Sequence, residues 1–158
     1  MSYSEAADLI RSNVNKVVAD WRSVVRDDSR IKSDADLSTK ELTDHVPQII
    51  EQICELISLD EEPSIATTNE ARAAVYMRVH QGYSGPDLIW ELSLLRMTLL
   101  RQIIRFGIDK LIVLDLEQYF RVSQIINLYI DLEMRYAISV YSDLAAGRTK
   151  LDDPKSSS

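Results

Sequence analysis

Residues 69–103 read NEARAAVYMRVHQGYSGPDLIWELSLLRMTLLRQI, and this stretch decides the fold. Ala71, Ala74, Val75 and Arg78 recur three and four apart, so they share one face of a helix that Thr67 or Thr68 caps. Gly82 closes that helix at the C′ position, where left-handed backbone is wanted. Tyr83-Ser84-Gly85 leaves length for a tight turn only. Pro86 then stands at a first helical position, where its missing N–H costs nothing. Ile89, Leu92, Leu95, Leu99 and Ile103 form the stripe of this second helix, with Gly107 as its expected stop. Two helices joined by so short a turn run antiparallel, which brings Glu91 to the height of Arg78.

The same period extends in both directions. Upstream, Ile10, Val14, Val17, Val18, Trp21, Val24 and Val25 share a face behind Ser4 as N-cap, with Glu5 and Asp8 at the positive end of the helix dipole. The polar run from Asp27 to Asp36 ends that segment. Ser38 and Glu41 then form a capping box ahead of Leu42, Val46, Ile49, Ile50, Ile53, Leu56 and Ile57. Pro47 inside this pattern either kinks the helix or marks its true start. Asp60 to Thr68 is a loop. Downstream, a long helix starts between Asp109 and Asp115 and carries Leu116, Phe120, Ser123, Ile126, Ile130, Met134, Ala137, Tyr141 and Leu144 towards Gly147. No alternation of period two is sustained. The expected fold is all-α, about five helices in a helical-bundle or globin-like arrangement, with one domain over 1–147 and a polar tail or linker over 148–158.

Composition narrows the function. The chain has 158 residues, is 46% hydrophobic, and sets 18 Lys+Arg against 25 Asp+Glu for a net charge of −7. That balance argues against a nucleic-acid partner, which needs a concentrated basic face. One Cys excludes an internal disulfide framework, and two His with one Cys make a poor zinc set. The N-terminal MSYSEAADLI lacks the basic start and apolar core of a signal peptide, and no apolar run reaches membrane-spanning length. The expectation is a cytoplasmic protein with no membrane partner.

Catalytic patterns find no support. Gly-x-Gly and Gly-Lys-Ser/Thr phosphate motifs are absent from the sequence, and Glu117 and Glu133 lack the i, i+3 His of di-iron bundles. Asp44-His45-Val46-Pro47 places His45 at a helix start, and His80 lies near a helix end; either could serve as a haem ligand in a globin-like carrier, the competing reading. Cys54 reads as a small buried hydrophobe. Asp27-Asp28 and Asp60-Glu61-Glu62 read as solvated runs. No metal, cofactor or catalytic residue is expected. Arg78 is the anomaly, a cation on an apolar stripe: it either pairs with Glu91 or buries its stem while its head reaches water.

These residues also carry a resemblance. Arg78-Val79-His80-Gln81-Gly82-Tyr83-Ser84 followed by Glu91-Leu92-Ser93-Leu94-Leu95-Arg96 resembles the N-terminal domain of the RsbT co-antagonist RsbRD family, in which a His-x-x-x-Arg-x-x-x-Gly helix leads into a Glu-x-x-x-x-Arg helix. Leu42-Thr43-Asp44-His45-Val46-Pro47 is similar to the family's Leu-x-x-His-hydrophobic-Pro segment, and Trp21 fits the first helix. Residues 10–105 carry the likeness. Arg78, Gly82, Glu91 and Arg96 match the pattern, whereas the family's His falls at Ala74. The resemblance implies a haem-free globin-like input domain of a bacterial signalling protein. Such domains stand ahead of STAS modules in stressosome-like regulators, or ahead of sensory and histidine-kinase modules, and commonly dimerise.

The last helix supports that partner from the residues themselves. Ile125, Leu128, Tyr129, Leu132, Tyr136, Ile138 and Val140 lie beside its stripe, more apolar surface than one core-facing edge uses. A homodimer is expected, with Ile126, Ile130, Ala137, Val140 and Leu144 at the interface and help from the first helix.

Overall fold

A computed structural model describes residues 2–109 and 114–147. Its elements are α1 (Tyr3–Arg11), α2 (Val14–Asp27), α3 (Thr39–Thr43), α4 (Val46–Ser58), a 3₁₀ turn (Ile65–Thr67), α5 (Asn69–His80), α6 (Gly85–Asp109) and α7 (Leu116–Ala145). Among the described residues the fold is all-α, without strands, and the last helix is the longest at 30 residues. The expected tail over 148–158 lies outside the described residues.

Two of the five expected helices are each divided in two, and side-chain chemistry explains both breaks. Between α1 and α2 the Ser12 hydroxyl donates to the Asp8 carbonyl at 2.7 Å and the Asn13 amide to the Leu9 carbonyl at 2.8 Å, competing for acceptors that a continuous helix would use. Ser2, not Ser4, caps α1, closing a capping box with Glu5. Ser38 and Glu41 form the expected capping box of α3. Pro47 marks a true start: it sits in the first turn of α4, and a proline ring clashes with the carbonyl four residues back, here that of Thr43, where α3 ends. Thr68 holds the N-cap position of α5, but its hydroxyl donates back to the Ser64 carbonyl at 2.9 Å. Gly107 does not stop α6, which runs on to Asp109. Asp115 caps α7 through a box with Gln118.

The α5–α6 corner forms as its residues require. Gly82 has φ +78°, the Tyr83 N–H donates to the Arg78 carbonyl at 3.0 Å, and the Gly82 N–H donates to the Val79 carbonyl at 3.1 Å. This is a Schellman motif, which normally adds an apolar contact between its outermost residues. Here the Arg78 guanidinium lies over the Tyr83 ring, 4.7 Å from its centroid. The Tyr141 hydroxyl donates to the Tyr83 carbonyl at 2.6 Å and fastens the corner to α7.

In the core α1 lies along α4, α2 against α6, and α7 against α4, α5 and α6. Three neighbours use the inner face of α7 almost fully, and this revises the interface expected from sequence. Ile126 and Ile130 are completely buried within one chain, Ala137 is 1% exposed and Val140 9%. Leu144 is half-buried. Ile126, Ile130, Ala137 and Val140 thus belong to the chain's own core. The outward apolar residues of α7 are Leu116, Phe120 and Ile138, at 83%, 67% and 57% exposure. Leu116 and Phe120 were expected on the inner stripe. No helix of the described residues is long and apolar enough to cross a membrane.

Candidate functional site

Arg78 is completely buried, and the fold spends its whole guanidinium on internal acceptors. Nε donates to Glu91 Oε1 at 3.0 Å and Nη2 to the same oxygen at 2.7 Å. Nη2 also donates to the Leu42 carbonyl at 2.7 Å, while Nη1 donates to Gln81 Oε1 at 2.6 Å and the Glu41 carbonyl at 3.3 Å. An arginine head has five N–H donors, and all five are used. The two carbonyls come from α3, Gln81 from the end of α5 and Glu91 from α6, so one side chain ties three elements together. Of the two sequence readings of Arg78, pairing is the one observed, at 2.7 Å with Glu91 1% exposed.

The surroundings extend the network. The Trp21 indole N–H donates to the Glu91 carbonyl oxygen at 3.4 Å, bringing α2 to the cluster. The His45 ring meets Trp21 edge-on, centroids 6.5 Å apart, with its Nδ1 sealed and without a partner. The second Glu91 oxygen and the Tyr83 hydroxyl are likewise sealed and unsatisfied. Across the core stands Glu133 of α7, 1% exposed, with neither carboxyl oxygen hydrogen-bonded.

Electrostatics follows from this burial. Removing a charge from water raises an acid and lowers a base. Burial raises the Glu91 carboxyl, and the Arg78 charge beside it opposes that rise. Burial also pushes Glu133 well above the usual carboxylate range; the Glu91 charge adds to the effect and Arg78 works against it. Burial, with Arg78 second, holds His45 well below the usual imidazole range. The Tyr83 phenol is pushed up by burial first and by Glu91 next. Cys54 is fully buried, as expected, and burial pushes its thiol up to about 12.

Trp21, His45, Arg78 and Glu91, separated in sequence, thus gather in one buried cluster, while the exposed Gly82 shapes the turn that follows α5. Arg96 stands apart. It is a half-buried brace from α6 to α7, donating to Asp131 at 2.8 Å and resting on the Met134 sulfur at 3.5 Å. His80 is exposed at the end of α5, its Nδ1 2.8 Å from the Tyr76 carbonyl oxygen, so the ring stands in solvent and not in an enclosed haem pocket. Glu133 was considered only as a metal ligand and was missed as a core residue. Its signal was present, because it continues the series Ile126, Ile130, Ala137 and Val140 at the position between Ile130 and Ala137.

The unsatisfied polar atoms of the cluster are sealed from solvent, so in this packing they do not meet a substrate. Among the described residues no group of three or more His, Cys, Asp or Glu could hold a metal ion. No family model matches the chain, and no curated protein and no solved structure matches it.

Proposed function

We propose that the chain is a non-enzymatic sensory or regulatory input domain of a bacterial signal-transduction protein. It works in the cytoplasm as a homodimer and passes its state through α7 to a downstream effector, a STAS module or a histidine kinase. One observation carries this reading: the helix that brings Glu133 into the core is also the longest in the fold. Thirty residues at 1.5 Å each make α7 a rod of about 45 Å, so a repacking at its middle moves both ends. The likeness of Arg78, Gly82, Glu91 and Arg96 to the RsbRD N-terminal pattern supports the same reading.

Dimerisation rests on the outer face. Leu116, Phe120 and Ile138 on α7 and Met97 and Ile104 on α6 are all exposed, on two helices that pack together. A two-fold partner covers such a face because one patch then meets its own copy. Their exposure supports an interface at these residues.

Coupling through a helix depends on its register. Joining α7 after Ala145, in continuous helix, to the catalytic part of a dimeric histidine kinase should give a kinase whose output follows helical phase. Inserting seven residues at the junction should leave output within about twofold, because seven residues are close to two turns. Inserting three or four should change it severalfold. Output indifferent to every insertion would contradict helix-mediated coupling.

A further inference from the structure

We propose that the Glu133 carboxyl is a proton-binding site whose occupancy holds α7 in its packing against α5 and α6. The proton site stands on the geometry of the cluster and not on the signalling role proposed above. Three facts converge on it. Both Glu133 oxygens are sealed from solvent with no hydrogen-bond partner. The single cation of the cluster, Arg78, has no N–H left to offer, since its five donors are committed to Glu91, Gln81, Glu41 and Leu42. Glu91 already supplies the one negative charge that Arg78 balances. A second carboxylate beside that pair would be a buried charge with neither counter-ion nor donor, a far larger cost than protonation.

The groups that face Glu133 leave it no other way to be neutralised. α5 presents Arg78 and α6 presents Glu91, the two charges that act on this carboxyl. Its own helix presents Tyr129, whose hydroxyl already donates to Gln52 Oε1 at 2.6 Å. α4, also packed on α7, brings His45 at its start and Cys54 as inward titratable groups, and burial keeps both uncharged. The charge of the cluster is then zero with Glu133 protonated and −1 without. Burial acts in the same direction, pushing this carboxyl well above its ordinary 4.5.

The sign of the linkage is fixed. In the unfolded chain Glu133 ionises near its ordinary value of 4.5, while the folded chain still holds the proton. Stability from this group is complete below that pH and is lost as pH rises towards the folded value. His45 acts oppositely, losing stability on acidification below about 6.5, so above that pH it no longer contributes, and comparison with Glu133→Gln separates Glu133 from Glu91, which burial also raises.

Urea unfolding of the wild type and of Glu133→Gln, an uncharged near-isostere, tests the proposal. Above about pH 6.5 the folding constant of the wild type should fall, relative to Glu133→Gln, by up to tenfold per pH unit until Glu133 ionises. Parallel profiles for the two proteins would overturn the proposal. A second measurement does not depend on the variant folding. Carboxyl ¹³C NMR of glutamate-labelled wild type at pH 7 should show one glutamate still protonated, a signal that Glu91→Gln keeps and Glu133→Gln loses. Full ionisation of every glutamate at pH 7, or loss of the signal in Glu91→Gln alone, would overturn it.

Discussion

Arg78→Met is expected to destabilise the fold by about 3–5 kcal/mol, a large fraction of the stability of a domain of this size. The methionine fills much of the stem volume but supplies no donor. Glu91 Oε1 then loses both its bonds and the Leu42 carbonyl loses its Arg78 donor inside the core, while the Glu41 carbonyl keeps its bond from Gln81. A sealed acceptor left unpaired costs about 1–3 kcal/mol, more when it is charged. Glu91→Leu alone should be costly for the mirror-image reason, a buried guanidinium without its counter-ion. The double substitution should recover much of the loss, because an apolar pair of similar volume needs no compensation. A double-mutant cycle read by urea unfolding measures this. Additive effects, with no coupling between the two sites, would mean that the 2.7 Å contact does not hold in solution.

Ile130→Glu is expected to abolish folding or to cost more than about 4 kcal/mol, since it puts an unpaired acid in the core one turn before Glu133. Ile138→Glu, on the outward face at 57% exposure, should change monomer stability by no more than about 0.5 kcal/mol. Circular dichroism and urea titration of the two purified variants distinguish the faces. A folded, soluble Ile130→Glu variant would place Ile130 at a surface that the fold buries.

These two positions also show where sequence reading succeeds and where it stops. The α5–α6 corner was legible because its residues admit few alternatives: Gly82 for a positive φ, Pro86 at a helix start, and a turn too short for anything but an antiparallel return. That register brought Glu91 level with Arg78, but pairing and a guanidinium reaching water both stayed open until the 2.7 Å contact was seen. The remaining acceptors of Arg78 were not legible, because two are backbone carbonyls from α3, about 37 residues away, and a carbonyl leaves no mark in the side-chain pattern. The break at Ser12 and Asn13 depends on side chains turning back onto the helix, which residue type permits but does not require. Gly107 misled because a helical glycine costs only about 1 kcal/mol, which the packing of α6 outweighs. The role of α7 misled for a deeper reason. A periodic apolar stripe is the same whether a neighbouring helix or a second chain covers it, so Ile126 and Ile130 could not be assigned to core or interface by spacing alone.

Static light scattering of the unmodified chain at tens of micromolar tests the proposed signalling role most directly. The expected mass is twice the 18.0 kDa of one chain, falling to a folded species of 18.0 kDa in Ile138→Glu. A mass of 18.0 kDa for the unmodified chain would contradict it, because a monomer has no partner against which α7 can transmit a change.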